Sequence, residues 1–191
     1  YKNREYFDNL YAPEYNPEKY NKDPNIRRSH NCYSYMLNRI SNKLASICKQ
    51  STNQCRFINP QPGHFSGVVT RVNKSETTCP NLINRVISDN PEIKIVSFNE
   101  KCPENSYKGA LAVNPNVTYH FYRENNDGYW SHKDGGRKAT NVDASGNLIT
   151  DPYTSDRKWS DKRHYKDFCG YFCIPNKKMN MTRRNNGEPM Y

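Results

Sequence analysis

The stretch from Val117 to Lys133, VTYHFYRENNDGYWSHK, reads as two strands joined by a turn. Residues 117 to 124 alternate with the two-residue period of a half-buried strand, which puts Val117, Tyr119 and Phe121 on one side and Thr118, His120 and Tyr122 on the other. Asn125-Asn126-Asp127-Gly128 supplies the turn, because Asn, Asp and Gly tolerate left-handed backbone conformations. Tyr129 to Lys133 forms the returning strand. Folded about Asn126, the hairpin sets His120 opposite His132 on one face, whereas a two-residue Asp-Gly turn shifts the register and separates them.

Outward from this hairpin, further elements follow from pattern. Upstream, Ser29 or Asn31 can cap a helix carrying Tyr33, Met36, Leu37, Ile40, Leu44 and Ile47 at helical spacing, with Cys32 in its first turn. A thiol there feels the positive end of the helix dipole, which favours thiolate. Residues 48 to 79 read as a long loop. Pro80 to Asp89 restarts a helix, Ile93 to Phe98 and Tyr107 to Val113 read as strands, and Phe168 to Ile174 (FCGYFCI) reads as a final buried strand. Cys169 and Cys173 would share one face of that strand roughly 13 Å apart, too far to bond to each other. The fold class is α+β, with N-terminal helices packed on a small antiparallel sheet. Residues 1–28, rich in Tyr and Pro, read as an extended arm, 29–175 as one domain and 176–191 as a basic tail.

Composition narrows the function classes. Hydrophobic residues make up 34% of the 191-residue chain and the mean hydropathy is -1.10, so one modest core is expected. The 15 Tyr and 7 Phe add large buried areas and polar handles for interfaces. A net charge of +10 suits an acidic partner. The charge is scattered, however, and no RNA-binding or zinc-finger signature accompanies it, so nucleic-acid binding is not favoured. Seven cysteines suggest three disulfides and one free thiol, as in an oxidising or extracellular setting. A CxxxC half-site at Cys169 and Cys173 lacks a second ligand pair, so no metal or cofactor is expected. No hydrophobic run reaches the roughly 20 residues of a membrane-spanning helix. The chain begins at Tyr1 without Met, as a processed product or the ordered part of a longer chain does. Asn73, Asn116 and Asn180 stand in Asn-x-Ser/Thr sequons. His30, His64 and His164 read as exposed, Trp130 as hairpin packing, and Asp143 and Asp151 as turn formers.

A cysteine at a helix start followed by histidine on a strand is the minimal equipment for thiol-based acyl chemistry. At Asn31-Cys32-Tyr33, His120 in TYHFYR and His132 in GYWSHK the chain resembles the NlpC/P60 and CHAP groups of papain-like cysteine hydrolases. The resemblance implies a papain-like fold and a peptide or amide substrate. It also implies Cys32 as nucleophile, His120 as base and His132 as orienting residue, with Asp143 or Asp151 replacing His132 if the register differs. The segments NCYSY, YHFYR, DGYWSHK and DASG are also similar to those of uncharacterised proteins of large DNA viruses of protists. That resemblance implies an alternative: a minor capsid or cement protein, with the arm and tail binding other chains of a capsid lattice in a virion.

Overall fold

The computed structural model describes residues 10–67 and 71–182. The expectations placed on residues 1–9 and 183–191 lie outside those described residues. Among the described residues five α-helices, α1 (Glu18–Asn21), α2 (Pro24–Ser29), α3 (Cys32–Met36), α4 (Asn42–Gln50) and α5 (Cys79–Asp89), precede eight strands. The strands are β1 (Lys94–Val96), β2 (Ser106–Asn114), β3 (Thr118–Glu124), β4 (Trp130–Lys133), β5 (Ala139–Thr140), β6 (Lys158–Ser160), β7 (Arg163–His164) and β8 (Asp167–Pro175). Six strands form an antiparallel sheet in the order β1-β8-β2-β3-β4-β5, and β6 pairs separately with β7. The expected α+β class with an antiparallel sheet is present.

Alternation along the central strands divides the interior into two layers. Tyr107, Leu111 and Val113 of β2, with Phe121 of β3, face Tyr33, Met36 and Leu44 of the helices. Ala110, Ala112 and Tyr122 face the opposite layer, where they meet Trp130, Ile149, Tyr165 and Tyr171. Gly109 lets α3 approach the sheet closely, since a Cβ there would come within 2.8 Å of Met36 and 2.5 Å of Ile174.

The helix expected through Tyr33, Leu44 and Ile47 is broken into α3 and α4. Asn38 takes a left-handed conformation (φ 51°), which ends α3, and Ser41 recaps the chain by accepting from the Leu44 N–H. Within the stretch read as an extended arm, residues 18–21 and 24–29 are helical and Tyr20 is fully buried. The Pro13 carbonyl accepts from the Asn126 N–H at 3.2 Å. From the tail side, Met179 and Met181 enter the main core.

Three disulfides, Cys48–Cys55, Cys79–Cys169 and Cys102–Cys173, leave Cys32 as the free cysteine. Gly170 pairs with Leu111 and Phe168 with Ala112, so Cys169 is the extra residue of a β-bulge. The bulge, with Gly170 at φ 125°, brings Cys169 into the helix-side core beside α5. The Cys79–Cys169 bond spans 90 residues and joins α5 to the sheet. Replacing both cysteines by alanine is expected to lower unfolding free energy by about 2–5 kcal/mol, read as a lower urea midpoint. An unchanged midpoint would show that the bond does not support the fold.

Candidate functional site

Asn31 caps α3: its Oδ1 accepts from the Ser34 N–H at 3.3 Å, and its Nδ2 donates to the Pro60 carbonyl at 2.6 Å. This fixes Cys32 at the helix start. The next residue, Tyr33, packs on Phe121 with ring centroids 5.4 Å apart and donates its hydroxyl to Asp89 at 2.9 Å. Cys32 is buried in the same core layer as Phe121. Burial pushes its thiol up to about 12, against the opposing pull of the Phe121 backbone N–H. Desolvation, the largest influence on this thiol, opposes the low-pKa thiolate expected from the helix start, and α3 has only five residues to build a dipole.

His120 and His132 do meet, though not by direct opposition. The hairpin register pairs Tyr122 with His132 and Glu124 with Trp130, so the turn is centred on Asp127 rather than Asn126. An even shift keeps both histidines on one face as diagonal neighbours. His120 Nε2 and His132 Nδ1 lie 2.9 Å apart. The second nitrogen of His132 hydrogen-bonds the Val142 carbonyl at 3.1 Å, which makes His132 Nε2 the donor. With its proton on Nε2, neutral His132 accepts at Nδ1, so His120 carries its proton on Nε2.

His120 also stacks on Tyr165, with centroids 4.8 Å apart and an interplanar angle of 17°. Its Nδ1 has no hydrogen-bond partner among the described residues. The thiol–imidazole bond to Cys32 is therefore absent: Cys32 packs with Phe121 on the helix side, and His120 packs with Tyr165 on the other. Burial and the neighbouring His132 push the His120 pKa down to about 3, and burial lowers that of His132 as well. Asp143, the alternative orienting residue, receives the backbone N–H groups of Ser145, Asn147 and Asp156. Asp151 accepts from Tyr153 N–H and the Tyr171 hydroxyl. Both carboxylates hold turns.

Two buried polar residues have roles that hydropathy did not signal. Lys133 has no exposed surface, and its Nζ donates to the carbonyls of Arg27, His30 and Gly135 at 2.5 to 2.6 Å. Those three acceptors match the three ammonium donors, although burial pulls the pKa down to about 7. Strand alternation is the signal that could have found it, since Ser131 and Lys133 fall on the face opposite His132. His30, expected to be exposed, is wholly buried. Its Nε2 accepts from the Ser41 N–H at 2.8 Å, which places its proton on Nδ1 against the Ile26 carbonyl at 2.9 Å, and burial lowers its pKa to about 4.

Beside Cys32 lies an open cleft of about 590 Å³, with Asn59, Gln61, Thr118 and Tyr119 in its wall and Arg56, Arg71 and Lys74 on its basic side. Arg56 and Arg71 both lie over the Phe57 ring, at 4.5 and 5.4 Å.

No family model matches the chain, and no solved structure matches it. The chain is 34% identical over 163 residues to insoluble matrix shell protein 1 of Ruditapes philippinarum, an alignment covering 85% of this chain and 90% of the relative. The chain belongs to the family of that shell matrix protein. This membership overturns both functional expectations, the Cys-His hydrolase and the viral capsid or cement protein. The order Cys32, His120, His132 prompted the first reading, but order along a chain does not establish that a thiol and an imidazole touch. Short shared segments prompted the second, and similarity along most of the chain outweighs them.

The neutral histidines have a consequence for stability. His30 and His120 titrate in the fold at about 4 and 3, below their ordinary value of 6.5. A depressed histidine pKa means that folding favours the neutral ring, so its contribution is complete above pH 6.5 and is lost as pH falls toward 3 to 4. The melting temperature is expected to fall between pH 6.5 and 5, before most carboxylates titrate. A thermal-unfolding series that stays flat or rises across that interval would contradict the buried neutral histidines.

Proposed function

We propose that this protein is a structural component of an insoluble extracellular matrix of the shell type, and not a catalyst. The observation that carries the reading is the 34% identity extending over 90% of a shell matrix protein. The three disulfides support it, because such bonds persist in oxidising, extracellular settings. The net charge of +10 supports contact with acidic matrix partners.

In this reading Cys32, His120 and His132 are neutral interior groups. The helix that begins at Cys32 and packs against strands bearing two histidines supports a papain-like layout used as a scaffold. Fold and chemistry separate readily in this way, since activity depends on the exact site and not on the surrounding architecture.

The test is quantitative mass spectrometry of soluble and detergent-insoluble extracellular fractions from the source tissue. Peptides of this chain are expected predominantly in the insoluble fraction. Recovery only from a soluble intracellular fraction would overturn the assignment.

A further inference from the structure

The three Asn-x-Ser/Thr sequons occupy different structural settings. At Asn180-Met181-Thr182 the asparagine is tied into the domain: its Nδ2 donates to the Asp89 carbonyl at 3.2 Å, and its backbone exchanges two bonds with the Asn90 side chain at 2.8 and 2.9 Å. Met181 is buried in the main core. At Asn73-Lys74-Ser75 the Asn73 N–H donates to Glu76 at 2.8 Å, and Asn73 forms part of the cleft wall.

Asn116-Val117-Thr118 stands at the tip of the turn between β2 and β3. Pro115 and Asn116 are the central turn residues, closed by the Val117 N–H donating to the Asn114 carbonyl at 3.0 Å. Asn116 takes the left-handed conformation at φ 60°, which asparagine tolerates better than most residues. It is exposed, as is Val117 at 42%. Neither the Asn116 amide nor the Thr118 hydroxyl has a hydrogen-bond partner among the described residues. The acceptor amide and the hydroxyl two residues on are both available.

We propose that Asn116 carries an N-linked oligosaccharide. The inference rests on the extracellular reading above, since it requires passage through a secretory pathway. The Asn116 Nδ2 attacks the anomeric carbon of an oligosaccharide carried on a lipid pyrophosphate. An N–C bond forms, the C–O bond to phosphate breaks, the lipid pyrophosphate leaves with the electron pair, and the amide gives up one proton. No oxidant or reductant is needed. The glycan projects from the sheet end next to Val117, Thr118 and Tyr119, which border the basic cleft. It adds a bulky, hydrated group there without displacing a packed side chain.

The test has two arms. In the first, the full chain secreted from insect cells is treated with peptide N-glycosidase and mapped by mass spectrometry. Conversion of Asn116 to aspartate with Asn180 unconverted is expected, and the Asn116→Gly variant, which keeps the left-handed turn, is expected to lose that glycan. An unmodified Asn116, or a glycan on Asn180, would overturn the inference wherever the native protein resides. In the second arm the native chain is mapped in the same way. Recovery from the extracellular matrix with a bare Asn116 would overturn the inference and leave the matrix reading intact, whereas recovery only inside cells would overturn the matrix reading and the inference with it.

Discussion

Strand β8 holds the structure together, because it lies between β1 and β2 in the sheet and carries two of the three disulfides. Through Cys169 it is bonded to α5, and through Cys173 to the segment that precedes β2. Its Phe172 and Ile174 enter the helix-side core, while Tyr171 enters the opposite layer. A chain with only 34% hydrophobic residues has limited apolar surface to bury, so limiting the freedom of the unfolded chain contributes more to stability than in an apolar domain. The bulge at Cys169 makes this possible, since regular alternation would keep Cys169 on the same face as Cys173.

The second constraint is the demand of buried polar groups for partners. Lys133 closes three carbonyls, two of them in the α2–α3 region. Arg123 donates to the Asn38 side chain at 3.1 Å and to the Tyr35 hydroxyl at 3.2 Å. Tyr35 donates to Ser131 at 2.8 Å, and Ser131 donates to Asn125 at 2.7 Å. These contacts join the short helices to the hairpin and make their positions specific, because removing one partner leaves the other buried and unsatisfied. The same burial disfavours the charged forms of Cys32, His30, His120 and His132. An interior of this kind suits a scaffold and withholds the charged thiolate that thiol chemistry needs.

Much of the fold was legible because it follows from periodicity. The strand pattern around Tyr107, the hairpin from Thr118 to Lys133, the helix at Cys79–Asp89 and the final strand all carry alternation or helical spacing with clear turn residues. The break at Asn38 was not legible, since the apolar spacing continues through it and only the left-handed backbone interrupts the helix. The hairpin register was open by two residues, because Asn126 and Asp127 both suit a turn. At the candidate site, the approach of His120 to His132 could be read from strand parity. The separation of Cys32 from His120 could not, since it depends on which face of β3 the helices cover. His30 read as a surface residue because hydropathy ranks the residue type and not its partners, and nothing in the hydropathy of Lys133 marks it as buried. The functional expectation failed at the point where a short ordered set of residue types stood in for contact geometry.

A disulfide-stapled domain that buries its free thiol is proposed here as a matrix component. The most direct measurement is disulfide mapping, under non-reducing conditions with alkylation during unfolding, of the chain recovered from its native matrix. The expected pairs are Cys48–Cys55, Cys79–Cys169 and Cys102–Cys173, with Cys32 recovered as an alkylated free thiol. Exchanged pairings, or Cys32 recovered in a bond to another molecule, would contradict that proposal.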